Sequence, residues 1–314
     1  MPSIKRGINY LLHNRAHFCD SIVKNYLGFL PDKLYLSLRY RCKMGHWINW
    51  NNPKTFTEKL QWLKIYDYKP EYTKMVDKLA AKDYVASRIG EEYIIPTLGV
   101  WDRVEDIDWD SLPDQFVLKT THGGGGCGVA VCSDKTHFDK SKAIKKLQIS
   151  MHSNAGKTYR EKPYLNVPRK IIAEKYIVEH NVRESYESSD LRDYKFFCFN
   201  GNVKCFKIDF GRFVDHHANY YSPEGKLLPF GEKGLEPDPN HIEIMPENLN
   251  DMIAIAEQLS DGFKFLRVDL YNVKGKIYFG ELTFYPAAGM GAFIPEEWDE
   301  KLGSMLNIDN HNVH

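Results

Sequence analysis

Apolar residues in the first part of the chain recur with the period of an α-helix. Four leucines lie three or four positions apart: Leu27, Leu30, Leu34 and Leu38. After the break at Asn52-Pro53, Thr55 and Glu58 form the pattern of a capping box, which starts a helix. The pattern predicts a helical, aromatic and basic extension over residues 1–70, to which the sequence assigns no chemistry.

The middle of the chain predicts a helix and then a hairpin with a glycine-rich tip. Residues 75–89 carry alanines in a helical pattern that Gly90 ends. Apolar runs at 116–119 and 129–131 flank a run of glycines, as expected for two strands and their loop. A second helix is expected over residues 138–152.

The second half of the chain alternates mainly with the period of a β-strand. A polar, poorly periodic loop over residues 153–168 leads into a strand at 171–177, and a helix is predicted at 247–260. Two hairpins turn at Asn200-Gly201 and near Lys274-Gly275. Their predicted strands are 193–199 with 203–210, and 265–271 with 276–282. Because hairpins mix with helices, the predicted fold class is α+β with mainly antiparallel sheets.

Composition and charge indicate the number of lobes, the expected partners and the expected location of the protein. The 314 residues exceed one typical domain, so two or three lobes are expected. The 42 basic and 42 acidic residues cancel, which gives no reason to expect nucleic-acid binding. The six cysteines form no Cys-x-x-Cys pair, so reduced thiols are expected. Without a long apolar stretch or a secretory signal, the chain is predicted to be cytoplasmic with no membrane span.

A lysine and a glycine run mark the first candidate site. Lys119 ends a predicted strand, and four adjacent glycines follow: Gly123, Gly124, Gly125 and Gly126. Glycines let backbone N–H groups turn toward an anion, and a lysine adds a point charge for the same phosphates. The order differs from that of a Walker A loop, in which the lysine follows the glycines. We interpret the segment as a phosphate-binding loop; the simpler alternative is a flexible hairpin tip.

Two carboxylates on the last predicted hairpin form the second candidate site. Asp269 and Glu281 are expected roughly opposite each other, within cross-strand reach on one face. Two such oxygen ligands suit Mg2+, which adds waters and substrate phosphates. The apolar flanks favour this interpretation over two solvated carboxylates, because a buried pair without a cation would repel itself.

Two weaker features lie between these sites. Glu174 and Lys175 interrupt an apolar strand and could hold an adenine edge and ribose hydroxyls, although a surface strand is the simpler interpretation. Lys195, which opens a hairpin in the sequence Asp193-Tyr-Lys195, could add a cationic phosphate contact, although such a lysine alone is more often structural.

Taken in this order, the features resemble the ATP-grasp superfamily, and within it the TupA-like group of teichuronopeptide biosynthesis in bacterial polysaccharide gene clusters. The resemblance runs from about Asn52 to Gly303. Four segments carry it: NPKTFTEKLQWLKIYD, DSLPDQFVLKTTHG, DYKFFCFNG and RVDLYNVKGKIYFGELTFYPAAG. The first segment is not part of general ATP-grasp architecture and indicates the smaller group.

The resemblance implies a role for each matching residue. Nucleotide binding is assigned to two lysines, the loop over the phosphates and the adenine hinge: Lys78, Lys119, Gly123 to Gly126, Glu174, Lys175 and Ile177. Mg2+ binding is assigned to Asp269 and Glu281. Thr283 stands where many relatives carry an asparagine ligand, and packing is its favoured role because a hydroxyl is the poorer ligand. Arg267 is expected at the acyl phosphate, with Lys195 as a further catalytic cation.

The implied fold holds ATP between two α+β lobes and adds the helical extension. We expect four regions: the extension 1–70, an N-terminal lobe 71–115, a lid 116–177 and a C-terminal catalytic lobe 178–314. The implied reaction joins a carboxylate to an amine through an acyl phosphate, with ATP and Mg2+. A glycan uronic acid and an amino acid are the expected substrates.

Three alternatives stay open at this point. An ATP-grasp kinase would stop at phosphoryl transfer. A glycosyltransferase would need an Asp-x-Asp site, for which Asp106 to Asp108 and Asp108 to Asp110 are the nearest patterns. A binding module without catalysis is disfavoured by the intact lysines and carboxylates. The polar stretch 216–241, with Arg212, could line an acceptor site, although such a stretch is more often plain surface.

Overall fold

The computed structural model describes residues 16–124, 126–177, 191–210, 216–241 and 243–308. Residues 16–26 are helical. Helices α1 to α8 follow in order: Asp32–Met44, Phe56–Tyr66, Tyr72–Val76, Ala80–Ile89, Lys140–His152, Ala155–Tyr159, Leu249–Ser260 and Glu297–Met305. Strands β1 to β11 are, in order: Thr97–Trp101, Phe116–Thr120, Val129–Cys132, Ile171–Lys175, Asp193–Phe199, Asn202–Phe210, His217–Tyr221, Gly231–Glu232, Phe265–Val273, Lys276–Thr283 and Phe293–Ile294.

The helical extension is present, but its leucine pattern crosses a break. A turn separates the helix at 16–26 from α1, which begins after Pro31, because proline suits the start of a helix and not its interior. Leu34 is 47% exposed, whereas Leu27, Leu30 and Leu38 pack against the buried cluster that contains Leu36 and Tyr40, so the leucine pattern predicts the buried face only in part. The capping box before α2 is confirmed.

The helix predicted over residues 75–89 is wrong as one element, because Asp77 divides it. The Asp77 carboxylate accepts hydrogen bonds from the backbone N–H groups of Leu79 and Ala80 at 2.8 and 3.3 Å, which caps the start of α4. Lys78 therefore lies in the connection between α3 and α4. Its own N–H donates to Thr121 O at 3.0 Å, which ties this connection to the end of β2.

The first sheet is antiparallel, with strand order β1-β4-β2-β3. Its inner face packs on α5 through a small apolar cluster that includes Phe116, Leu118, Leu147, Ile171 and Ala173. The predicted hairpin with a glycine-rich tip is thereby confirmed as β2 and β3. Strand β1 comes from the expected N-terminal lobe and yet pairs with β4 of the expected lid; the four region boundaries stay predictions.

The second sheet is antiparallel, with order β10-β9-β5-β6-β7, and holds both predicted hairpins. Asn200 and Gly201 have φ of 49° and 79°, as a two-residue hairpin turn requires. Helix α7 packs on one face, where the Cys198 thiol contacts Ala256 O. The opposite face carries charged side chains.

The segment predicted as a plain loop over residues 153–168 is ordered by contacts with the extension. It contains α6, and Thr158 O accepts hydrogen bonds from Tyr35 Oη at 3.0 Å and Arg39 at 2.8 Å. These partners are about 120 residues away in sequence, so local periodicity could not indicate them. No helix in the described part of the chain is long and apolar enough to cross a lipid bilayer.

Candidate active site

A row of polar side chains crosses all five strands of the second sheet. Cα partners run from Glu281 on β10 through Asp269, Lys195 and Lys207 to Tyr220 on β7. Directly opposed residues on neighbouring strands are about 5 Å apart, so these groups form one continuous polar surface. The sequence-predicted positions Asp269, Glu281 and Lys195 are therefore brought together.

Arg267 binds both predicted metal carboxylates. Its guanidinium donates to both oxygens of Asp269 at 2.7 Å and to Glu281 at 2.8 Å. Because one nitrogen of Arg267 contacts both residues, the two carboxylates face the same small space. Thr283 lies beside them, with its hydroxyl 3.1 Å from Arg267 and 3.2 Å from Glu281.

Burial and charge set the protonation of this group. Burial, together with the Asp193 and Glu281 carboxylates, raises the pKa of Asp269 to about 7 against the opposing effect of Arg267. Burial also raises the pKa of Glu281, but the cations of Lys78 and Arg267 outweigh it, and the net shift is downward.

The donor set fits Mg2+ that is shared with phosphates. Among the described residues, no group of three or more His, Cys, Asp or Glu side chains is arranged to hold a metal by itself. Asp269 and Glu281 supply two carboxylates, and Mg2+ is commonly held by one or two carboxylates together with phosphates and waters. The residues present therefore match a cation that arrives with a nucleotide.

Lys195 is enclosed by carboxylates on the same face of the sheet. It is 8% exposed, and its ammonium group donates to Asp193 and Asp209. Lys195 is also the Cα partner of Asp269. It thus lies next to the predicted metal carboxylates, at the position where a second catalytic cation was expected.

A second charged group lies in the first sheet. Glu174 on β4 makes two ion pairs of 2.6 Å, one with Lys119 on β2 and one with Lys82 on α4. Burial raises the pKa of the Glu174 carboxyl, but the two lysines outweigh it and hold the pKa below its usual range. Lys82 is fixed further by Ile95 O and the Thr97 hydroxyl, both at 2.8 Å.

The rest of the predicted adenine hinge is less enclosed. Lys175 is exposed and Ile177 is half-buried, just beyond the end of β4. Lys175 joins the strand edge through its backbone N–H, which donates to Pro96 O at 2.9 Å.

The glycine loop packs closely on the end of β2. A Cβ at Gly123 would lie 2.5 Å from Cys127 O, and one at Gly128 would lie 2.4 Å from the Thr120 hydroxyl, so both positions exclude a side chain. Gly124 is open and exposed, Gly126 has φ of 75°, and Gly125 lies outside the described residues.

Lys78 connects the glycine loop with the carboxylates of the second sheet. Its ammonium group donates to Gly123 O in the glycine loop, and it lies 3.7 Å from Glu281 across the cleft. Phosphates bound near the glycine loop would therefore lie between the lysines of the first sheet and the carboxylates of the second.

The family model described as TupA-like ATPgrasp matches residues 58–307 of the sequence. The chain belongs to the TupA-like ATP-grasp family. This membership confirms the family and the α+β ATP-grasp fold expected from the sequence, and it supports the expectation of an ATP-dependent enzyme of the ligase type.

Several solved structures are also similar to this TupA-like chain. D-alanine–D-alanine ligase from Helicobacter pylori is 14% identical over 80% of this chain and 69% of its own, with a TM-score of 0.43. The Bacillus anthracis ligase, complexed with ATP, is 16% identical over 67% and 53%, with a TM-score of 0.38. N5-carboxyaminoimidazole synthetase from Staphylococcus aureus is 12% identical over 67% and 44%, with a TM-score of 0.37. The TupA-like chain spans about half of the Bacillus anthracis ligase. No curated protein sequence matches it.

Sequence reasoning missed several charged residues of this ATP-grasp site. Lys82 lies four positions after Lys78, and that spacing was the only local signal for it. Asp209, Lys207 and Glu232 also belong to the charged face; Asp209 pairs with Lys195 of β5, and Lys207 pairs with Glu232 of β8, so local sequence did not indicate these contacts. Of the polar stretch proposed as an acceptor site, Arg212 lies outside the described residues, whereas Tyr220 and Glu232 belong to strands β7 and β8.

Proposed function

We propose that the protein uses ATP and Mg2+ to join a carboxylate to an amine through an acyl phosphate. The observation that carries the proposal is the pair of contacts that Lys78 makes. Its ammonium group donates to Gly123 O of the glycine loop, which follows the strand of Lys119. The same ammonium group lies 3.7 Å from Glu281, which belongs to the Arg267–Asp269–Glu281 group of the second sheet.

Each side of the cleft has a task in this reaction. Lys119 would hold the triphosphate, because it can offer a charge-assisted hydrogen bond while Glu174 fixes its position. Lys82 would act by holding Glu174, since its three N–H donors already bind Glu174, Ile95 O and the Thr97 hydroxyl. Asp269 and Glu281 would hold Mg2+, which neutralises phosphate charge when it is bound. Arg267 lies beside these carboxylates and would stabilise charge on the acyl phosphate.

The bonds balance without a protein nucleophile. A carboxylate oxygen attacks the γ-phosphorus of ATP, and ADP leaves with the electron pair of the broken P–O bond. The amine then attacks the acyl carbon, phosphate leaves, and the amine nitrogen loses a proton. The products are an amide, ADP and phosphate.

The expected substrates follow from the resemblance of the sequence to the TupA-like group of bacterial polysaccharide gene clusters. We propose a uronic acid carboxylate of a surface glycan and an amino acid or another amine. The test is an assay of phosphate release over a panel of uronic-acid glycans and amino acids, with mass spectrometry of the product. An amide product with ADP supports a ligase, whereas a stable phosphorylated acceptor indicates a kinase.

The glycosyltransferase alternative finds no support from its candidate acids. Asp106 pairs with Arg103 at 2.6 Å on the surface, and the Asp108 carboxylate accepts from the N–H groups of Asp110 and Ser111 at 3.2 Å. Local turn contacts thus account for these carboxylates. Thermal stabilisation by a sugar nucleotide instead of Mg-ATP would contradict the ligase proposal.

A further inference from the structure

A small, partly open cavity adjoins Arg267. Its volume is about 60 Å3, and it lies between helix α2 and the charged face of the second sheet. Arg267 contributes to its wall while the same guanidinium binds Asp269 and Glu281. A molecule in this cavity would therefore lie next to the proposed site of acyl phosphate formation.

One wall of the cavity carries a fixed pair of opposite charges. Lys207 is 2.8 Å from Glu232, and the Tyr220 hydroxyl donates to Glu232 at 2.5 Å. Burial raises the pKa of the Glu232 carboxyl, but Lys207 and the Tyr220 hydrogen bond outweigh it, and the net shift is downward. Glu232 is therefore an anion at neutral pH beside a lysine cation.

The remaining walls are largely apolar. Phe56 and Leu60 of α2 face Phe197 of β5 and Phe293 of β11 across the cavity. Apolar walls beside the charged pair lower the local dielectric constant, and an ionic contact is stronger there than in bulk solvent.

Helix α2 also holds the loop that closes the cavity. The Gln61 side-chain amide donates to Ala288 O at 3.1 Å and to Gly289 O at 2.7 Å. Ala287 and Ala288 have φ of 50° and 55°, a conformation that non-glycine residues adopt only when neighbours hold it. The segment around α2, for which the sequence indicated no chemistry, thus forms part of this cavity.

We propose that the cavity binds the amine substrate, and that this substrate is a small α-amino acid. The proposal rests on the ligase function proposed above. The ammonium and carboxylate groups of a zwitterion match Glu232 and Lys207 respectively. A cavity of about 60 Å3 holds roughly four to six water-sized groups, which is the size of glycine or alanine.

The test is calorimetric binding to the full chain with a non-hydrolysable ATP analogue and Mg2+. The probes are glycine, alanine, propionate, ethylamine and tryptophan. Glycine or alanine should bind, and propionate and ethylamine should bind about tenfold or more weakly, because each can make only one of the two ionic contacts that a zwitterion adds to Lys207 and Glu232. Tryptophan should not bind, because it exceeds the cavity.

Two variants make the test specific to the cavity. Glu232→Gln keeps the side-chain size and should weaken glycine or alanine binding about tenfold or more, with affinity for the ATP analogue unchanged. Gly291→Ala should weaken it independently, because the added methyl group would lie 3.0 Å from Ala287 Cβ inside the cavity wall. The control is Glu236→Gln, an exposed acid of the same segment, which should bind as the wild type does.

The outcomes separate this proposal from the ligase function. Unchanged amino-acid binding in both Glu232→Gln and Gly291→Ala overturns the cavity assignment. The cavity assignment is also overturned if the enzyme releases phosphate from ATP with another amine while no amino acid binds. The ligase function then stands. Absence of ATP binding and of phosphate release with every substrate instead overturns the ligase function, and with it the role of any bound amino acid as a substrate.

Discussion

The ammonium group of Lys119 is held in place by an ion pair on its own sheet. Lys119 is the last but one residue of β2, and its side chain is 15% exposed. Its ammonium group lies 2.6 Å from Glu174, which also pairs with Lys82. An incoming phosphate would find its ammonium group already positioned, because Glu174 limits the rotamers of the lysine.

We predict that Lys119→Ala weakens ATP binding by about 1.5–3 kcal/mol, because a charge-assisted hydrogen bond to phosphate is lost. The fold should survive, since Glu174 keeps Lys82. Calorimetric titration with Mg-ATP measures the change, and Lys146→Ala on the exposed face of α5 is the control. Unchanged affinity in a folded Lys119→Ala protein contradicts the assignment.

Glu281, one of the two proposed metal carboxylates, gives a prediction about turnover. Glu281→Gln keeps size and hydrogen bonding to Arg267 but removes a charge that would hold Mg2+, so turnover should fall by at least about tenfold while the fold and some ATP binding remain. Turnover is measured as phosphate release over a range of Mg2+ concentrations. Normal Mg2+-dependent turnover in this variant would falsify the metal site.

A substitution of Thr283 tests whether its hydroxyl is a metal ligand. Its hydroxyl is bonded to Arg267 and Glu281, so we expect it to orient these groups. Thr283→Val should then lower turnover modestly, and extra Mg2+ should not restore it. Recovery of the Thr283→Val variant at high Mg2+ concentration would instead show that the hydroxyl is a metal ligand.

His122 predicts a pH dependence of stability. Burial, with smaller contributions from Arg169 and Lys78, lowers its pKa below the usual 6.5. As the pH falls through about 6.5, the unfolded chain gains a proton that the folded chain does not, so stability is lost by up to about 1.4 kcal/mol per pH unit. Urea unfolding from pH 7.5 to 5.5 should show a steeper loss for the wild type than for His122→Gln, and parallel curves would contradict this.

At the scale of elements, α2 is fastened to the C-terminal part of the chain by buried polar contacts. Lys64 is fully buried and donates to Ala288 O at 2.7 Å and Tyr159 O at 3.0 Å. Its ion-pair partner is Glu161, at 3.5 Å. Burial lowers the pKa of Lys64 to about 8 and raises that of Glu161 to about 6, so each charge depends on the other.

We predict that Lys64→Met lowers the free energy of unfolding by about 3–5 kcal/mol, because it leaves a buried carboxylate without its cation. The double variant Lys64→Met/Glu161→Gln should recover part of this loss. Urea unfolding measures both, with the exposed Lys69→Met as the control. Equal stability of the single and double variants would show that the ion pair is not the cause.

At the scale of the whole molecule, the two sheets meet across the cleft that Lys78 spans. The glycine loop, which connects β2 and β3, lies beside this cleft, and Gly124 and Gly126 are exposed. Residues 153–168 are anchored differently, because Arg160 donates to Gly28 O at 2.6 Å and pairs with Asp32 at 3.0 Å. These contacts hold a segment that the sequence analysis described as a polar loop within the lid 116–177.

We predict that Mg-ATP slows hydrogen exchange in the glycine loop, residues 123–128, because phosphate contacts would close a loop with few apolar anchors. Residues 153–168 should exchange at similar rates with and without nucleotide. Mass spectrometry of exchange measures both segments, with AMP as the control. Equal exchange of the glycine loop in both states would count against closure over the phosphates.

The sequence by itself determined the features that depend on short separations along the chain. The capping box at Thr55 and the turn at Asn200-Gly201 need only their own neighbours, and their geometry followed from residue type. The opposition of Asp269 and Glu281 needs more than the hairpin turn, because the register shifts by one residue between Phe279 and Glu281; the turn alone would pair Asp269 with Gly280.

Only the tertiary structure decided how distant segments meet. The pairing of β5 with β9 places Lys195 opposite Asp269, and α4 brings Lys82 to Glu174. Helix α2 contacts the loop at Gly289 across 228 positions of sequence. Such contacts are selected by the burial of apolar surface over the whole chain, which no local pattern encodes. The sequence therefore predicted the candidate phosphate and metal residues from their residue types. Lys82 and the cavity beside Arg267 could be identified only from the packing of the sheets and helices.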